Sequence, residues 1–330
     1  MSEVYLSLLL LWGGLGLDRE MVLIVGITAW MLWVVKLASQ GLKVSRTFWG
    51  MVVVGGLIGL SGLWVGWSRE LGWWLGYWFS GLLVWLVARN TEINWLRVVI
   101  WVGVGLSGLG WWFDKDREMA MLSLVRWATP KHHHLADWWA VGLMASWGEV
   151  SWVERLVAIG FGGWWLVKGL SRSAVASLLV GLSWLKKNKW WRVGLVGVLL
   201  GIGWWISREK DLLSHRVYFV EAIWGIGEKP WGWGMNRFIE VSQKYKLSLG
   251  GCGSCVSSYT HSLVLELMVG AGVWVGLLWL GVVGKEIWKR TGVVTAMLVV
   301  ITVNMLVDYT YAIPAMWWLF WGLLGRIERR

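Results

Sequence analysis

Three short stretches of this chain carry residue types that could do chemistry. The first is Leu170-Ser171-Arg172-Ser173-Ala174, where an arginine sits between two apolar runs. A guanidinium stays charged at any relevant pH and pairs bidentately with phosphate oxygens. A snorkelling side chain at a helix end accounts for Arg172 equally well. The second stretch runs from Arg216 through Tyr218, Phe219, Glu221 and Trp224 to Glu228-Lys229-Pro230-Trp231-Gly232-Trp233-Gly234. Its first half reads as a helix that Pro230 and a glycine-rich turn bring to an end. Gly232 and Gly234 would permit close backbone approach and free N–H groups for an anion, or simply cap the helix. The third is Thr260-His261-Ser262-Leu263-Val264-Leu265-Glu266. A histidine there can take a proton near neutral pH, or serve as an ordinary polar residue where an apolar segment begins.

What must position these residues is apolar. Hydrophobic residues make up 57% of the chain and charged residues 15%, against roughly a quarter charged in soluble domains. Phe48 to Trp67 contains no charge at all. Such a run matches the roughly 20 residues that a helix needs to cross a hydrocarbon core about 30 Å thick. The expected fold is an all-α polytopic membrane protein of about 12 transmembrane helices, with one large extracytoplasmic loop, 207–262, containing short helices. The spans are expected near 4–17, 21–35, 48–67, 71–88, 98–113, 135–147, 156–167, 173–185, 193–206, 263–284, 293–307 and 312–325. Met1-Ser2-Glu3 lacks the basic start of a signal peptide, so the first run reads as a retained helix.

Basic residues in the short loops set the orientation. Lys36, Lys43, Arg46, Lys186, Lys187, Lys189, Arg192, Lys285, Lys289, Arg290 and the terminal arginines fall on one side, which is then cytoplasmic along with both termini. The stretches 114–134 and 207–262 then face outward and are basic themselves. Either an anionic ligand sits there, or long loops simply translocate regardless of charge. The 35 tryptophans are expected mainly at the bilayer interfaces, where an apolar ring with one N–H donor is comfortable. Cys252 and Cys255 allow one local disulfide at most, and no four-thiolate metal site. His132, His133 and His134 read as polar residues opening a helix, because three adjacent imidazoles cannot all face one ion from a helix.

Taken in order, the three stretches resemble the O-antigen ligase and polymerase superfamily of lipid-linked glycan transferases. The resemblance rests on Ser171-Arg172 opening a helix, then Arg216 heading a helix that runs into Pro230, Gly232, Gly234 and Phe238, then His261 with Leu265, Glu266 and Gly272. Asp308, Pro314 and the aromatic last span are similar to the family's ending. Ser262 stands where the family usually has asparagine, and Gly270 where many members carry an acidic residue. The match covers about 169–324 and divides the chain into N-terminal helices, 1–147, and a catalytic region, 148–330.

The resemblance implies a metal-independent inverting glycosyltransferase of the cytoplasmic (inner) membrane, acting at its outer face without a cofactor. Arg172 and Arg216 would grip the diphosphate of a polyprenyl-diphosphate-linked glycan, and His261 would orient or deprotonate the acceptor hydroxyl. Ser171, Gly232, Gly234, Arg237 and Glu266 would contact the donor diphosphate or shape the loop around it. The acceptor would be a lipid A core, another glycan or a protein side chain; the partners are these and the lipid bilayer, with no nucleic acid. A polymerase or a protein O-oligosaccharyltransferase of the same family fits the same motifs. A lipid-linked sugar flippase, the rival of a different class, would spread charges along several spans, whereas here they concentrate in loops.

Overall fold

The computed structural model of the chain describes residues 2–14, 19–113, 134–169, 171–185, 217–245 and 256–329. Every regular element among them is helical. The helices are α1 (Ser2–Gly14), α2 (Arg19–Ala38), α3 (Arg46–Val65), α4 (Arg69–Asn90), α5 (Trp95–Phe113), α6 (His134–Ala145), α7 (Trp152–Gly169) and α8 (Arg172–Trp184). After them come α9 (Val217–Glu228), α10 (Phe238–Tyr245), α11 (Leu263–Ala271), α12 (Val273–Trp288) and α13 (Val293–Val307). A 3-10 turn (Tyr309–Ala312) leads into α14 (Pro314–Glu328). Serines at 45, 68 and 171 cap α3, α4 and α8, each accepting the N–H three residues on, which satisfies a donor the helix start would leave open.

Eleven of the twelve expected spans coincide with helices; the twelfth, 193–206, lies outside the described residues. Three segments are long and apolar enough to cross a membrane: Glu20–Ala38, Arg46–Val65 and Arg69–Asn90. The outward faces are apolar as well. Ile24, Leu32 and Val35 on α2, Leu63 on α3, Leu156 and Val167 on α7, and Trp274 on α12 all stand exposed. Helices apolar on both their inner and outer faces suit a lipid surround better than water.

Tryptophan departs most from the expected pattern. Every side chain among the largest that are fully buried is a tryptophan: 30, 74, 78, 85, 95, 138, 139, 279, 317, 318 and 321. These rings fill the core, while Trp64, Trp67, Trp147, Trp152 and Trp288 stand exposed at or beside helix ends, as the interfacial expectation has it. Glycine makes the room. A Cβ on Gly322 would stand 2.0 Å from the Trp95 ring, one on Gly81 2.2 Å from Trp321, and one on Gly26 2.4 Å from Trp318. Where the indole N–H finds an acceptor, it ties two helices together. Trp78 donates to Met51 O at 2.9 Å, Trp138 to Val99 O at 3.0 Å and Trp317 to Tyr77 O at 2.9 Å. The last helix, α14, is the axis of this arrangement, buried along its length and packed on α1, α4 and α13.

Beside it, α6, α8 and α13 meet where a Cβ on Gly181 would touch Val300 at 2.5 Å and Met144 at 3.3 Å. The starts of α6 and α8 and the end of α13 therefore lie at one end of this trio. A smaller cluster of Tyr218, Ala222, Trp233, Phe238, Val241 and Val269 holds α9 and α10 against α11.

Filling a glycine that seats an indole should destabilise the bundle. Gly81→Ala and Gly322→Ala are each expected to cost about 1–3 kcal/mol by overpacking. Gly56→Ala, whose Cβ meets nothing within 4 Å, should be neutral or stabilise by up to about 1 kcal/mol through helix propensity. Thermal unfolding in one detergent, followed by tryptophan fluorescence, checks the contrast.

Candidate functional site

Ser171 is the N-cap of α8, its Oγ accepting the Ala174 N–H at 3.1 Å. The same hydroxyl donates to Asp137 Oδ1 at 3.1 Å, and Ser173 Oγ donates to that oxygen at the same distance. Between the two serines, Arg172 is exposed. A capping serine thus fixes the backbone from which the arginine projects, so Ser171 acts through position rather than as a free donor.

Asp137, wholly buried on the first turn of α6, faces His134 on the same turn. Its Oδ2 lies 3.3 Å from His134 Nδ1. His134 Nδ1 is 4.0 Å from Asp308 Oδ2 at the end of α13, and Asp308 Oδ1 is 3.8 Å from His261 Nδ1. A continuous polar chain therefore runs Ser171–Asp137–His134–Asp308–His261, joining the start of α8 to the turn before α11. His261 is the accessible end, with its side chain 27% exposed.

The His261 turn is held firmly. Its φ of 56° lies in the left-handed region, which costs a side-chain-bearing residue about 1–2 kcal/mol. Buried Glu266 offsets that, accepting the Thr260 N–H at 3.1 Å and the Tyr311 hydroxyl at 3.2 Å through Oε2. Tyr77 on α4 donates in turn to Tyr311 O at 2.8 Å. Glu266 thus positions the backbone entering His261, while Asp308 and Tyr218 flank its ring. Tyr218 stacks on the imidazole with centroids 5.3 Å apart and planes at 14°. Partial burial, then Glu221, raise the Tyr218 pKa above its ordinary value of 10.0, so a neutral phenol meets the ring.

Gly232 and Gly234 do not present free N–H groups. The Gly232 N–H donates to Lys229 O at 2.9 Å and that of Gly234 to Gly270 O at 2.9 Å. Trp233 N–H bonds Val269 O at 2.6 Å, and Val273 N–H reaches back to Pro230 O at 2.9 Å. The turn has taken over carbonyls that a continuous helix would use for itself. The expected tenth span, 263–284, is accordingly broken at Gly272 into α11 and α12. Gly232, at φ 103°, is needed for close approach, since a Cβ there would sit 2.5 Å from Gly270 O. Asn236 Oδ1, accepting from Trp74 Nε1 at 2.8 Å, staples the turn to α4.

Arg237 is committed elsewhere: its Nε and Nη2 bind both oxygens of Glu240 at 2.6 and 2.8 Å on the exposed side of α10. The geometry sets Gly232 and Gly234 in the turn of the loop with Arg237 beside it, His261 at one end of the polar chain with Glu266 holding its turn, and Arg172 next to Ser171 at the other end. Arg216, His132, His133, Cys252 and Cys255 lie outside the described residues.

No family model matches the chain, and no curated protein matches it.

Asp137 is passed over in motif reading, and His134 is read there only as a polar residue opening a helix, not as Asp137's partner. Their i, i+3 spacing at a helix start was the available signal, since residues so placed share a face.

Two expectations follow. Gly232→Ala must strain φ and push the turn off Gly270. It should lower the unfolding temperature and increase proteolysis within 217–245, whereas Gly227→Ala, with nothing within 4 Å, should not. The second concerns Glu228 at the end of α9, which binds Lys244 at 2.6 Å and accepts from Tyr245 on α10. These hydrogen bonds, Lys244 first, hold its carboxyl below the ordinary 4.5. The clasp is therefore complete above that unfolded-state value and lost as pH falls through the lower folded-state one. Hydrogen exchange across Phe238–Tyr245 should stay slow at pH 6 and accelerate in acid below about pH 4. Glu228→Gln should be fast at both.

Proposed function

We propose that this chain is a membrane glycosyltransferase resembling O-antigen ligases. It would move a glycan from a polyprenyl-diphosphate carrier to an acceptor hydroxyl at the outer face of the cytoplasmic membrane. One observation supports this reading above the others. Ser171, the neighbour of Arg172, and His261, far apart in sequence, stand at the two ends of one polar chain that runs through Asp137, His134 and Asp308.

The chemistry follows from what each group can do. Arg172, exposed at a capped helix start, offers the planar fork that holds a diphosphate and stabilises the charge developing as it leaves. Arg216, which immediately precedes α9, is the second cation of this grip. His261 accepts the proton of the acceptor hydroxyl as that oxygen attacks the anomeric carbon. Asp308 Oδ1, 3.8 Å from the His261 Nδ1, and the stacked Tyr218 ring flank the imidazole as it takes that proton. Glu266 and Tyr311 are positioning residues for the turn. The apolar outer faces of α2, α3, α7 and α12 suit the bilayer in which such a donor resides.

Purified protein supplied with labelled polyprenyl-diphosphate glycan and candidate acceptors tests the proposal. Arg172→Ala, Arg216→Ala and His261→Ala, each inserted at normal level, should lower transfer by roughly 10²–10³-fold, the loss typical when one group stabilising transition-state charge is removed. Arg172→Lys discriminates further. A snorkelling arginine tolerates the change, whereas a bidentate grip does not. Wild-type rates in the Arg172→Ala and His261→Ala proteins would exclude the mechanism.

A further inference from the structure

The carboxylates of Asp137 and Asp308 and the Nδ1 of His134 converge, with one ligand atom from each lying within 4.8 Å of the others. We propose that these three side chains bind a divalent first-row metal ion, of the Zn²⁺ or Mn²⁺ class, in the middle of the polar chain.

Three features of the geometry point to it. Donors about 2.1 Å from a common ion stand about 3.0 Å apart at a right angle, about 3.4 Å at a tetrahedral angle and about 4.2 Å when opposed. His134 Nδ1 lies 3.3 Å from Asp137 Oδ2 and 4.0 Å from Asp308 Oδ2, within that span. The shorter distance exceeds the roughly 2.7–2.9 Å of a charge-assisted hydrogen bond, and Asp137 Oδ2 makes no hydrogen bond among the described residues. Its other oxygen, by contrast, is fixed by two hydroxyls, Ser171 and Ser173 at 3.1 Å each. One oxygen pinned from behind and the other, fully buried, aimed forward is how supporting hydrogen bonds orient a metal-ligating carboxylate.

Charge supports the same reading. Asp137 is fully buried, and the Asp308 side chain is 17% exposed. Buried carboxylates call for nearby positive charge. One imidazole nitrogen with carboxylate oxygens suits zinc or manganese better than calcium or magnesium, which favour all-oxygen sets. The sequence reading of His134 as a polar residue opening a helix gains a second role here, as one imidazole joined by Asp137 from its own turn and Asp308 from the end of α13. The ion departs from the expected metal independence without displacing the arginine grip. It would neutralise two carboxylates that otherwise repel a diphosphate at the same end of the bundle. That last role rests on the transferase reading; the binding does not, so its test uses metal alone.

The full-length chain in detergent, stripped with EDTA and titrated with Zn²⁺ or Mn²⁺, should bind close to one ion per chain by calorimetry and elemental analysis. Asp137→Asn and His134→Gln should each weaken binding at least about tenfold, and Ser173→Ala about tenfold through lost orientation. Glu20→Gln, in an exposed ion pair with Arg69, should bind as wild type. Should the ligand variants fold poorly, Co²⁺ added to the unsubstituted chain provides an independent readout. Visible bands distinct from those of aqueous cobalt, competed away by Zn²⁺, support the site. Failure of the unsubstituted chain to bind any ion would overturn the proposal. So would binding that survives in Asp137→Asn and His134→Gln but is lost when His132 and His133 are replaced.

Discussion

The seating of indole rings on glycines is the interaction on which this structure rests. Between helices in an apolar surround, water gives little incentive to associate, so dispersion contacts and hydrogen bonds must supply it. A tryptophan laid across a glycine brings a large ring to the facing backbone, and its N–H can bond a carbonyl of the neighbouring helix. Trp321 against Gly81, Trp95 against Gly322 and Trp318 against Gly26 repeat the close seating around α14, and Trp318 adds an N–H bond to the Ser80 hydroxyl. Tyr77 extends the arrangement, stacking on Trp317 with centroids 5.0 Å apart while its hydroxyl bonds Tyr311 O. The interior that fixes α14 therefore also fixes the 3-10 turn before it.

That turn links packing to chemistry. Tyr311 reaches Glu266, and Glu266 holds the backbone on which His261 sits in its left-handed conformation. Asp308, just before the turn, lies between two histidines. Residues at the starts of α6 and α8, before α11 and at the end of α13 thus meet at one end, where Gly181 lets α8 pack closely on α6 and α13.

Much of the helix placement was legible in the sequence, since an apolar run of the right length needs no tertiary information to become a helix. His261 and Glu266 stood out for the same local reason, as polar residues opening an apolar run. Harder to read was anything decided by contacts between distant segments. Asp137 resembles an ordinary first-turn acid until Ser171, Ser173 and Asp308 surround it. The tryptophans suggested an interfacial belt because nothing in their own neighbourhood announces the glycines of other helices. Gly232 and Gly234 suggested open amides, yet their N–H groups serve a carbonyl within the turn and another on α11. Arg237 was ambiguous by charge alone, and Glu240 three residues on takes its guanidinium.

The break at Gly272 has a consequence for how the chain matures. Residues 263–288 form one apolar run, interrupted by Glu266 near its start and by Lys285 and Glu286 near its end, and on its own this run would favour a single straight helix. The break exists because Trp233, Gly234 and Pro230 exchange hydrogen bonds with 269, 270 and 273. Neither side can hold that conformation without the other, as separated carbonyls and amides would be stranded in apolar surroundings. The kinked geometry is therefore acquired only after the preceding loop has returned to the bundle. The break at Gly272 and the 230–234 turn thus form one hydrogen-bonded unit, so a change on either side of it is felt by both.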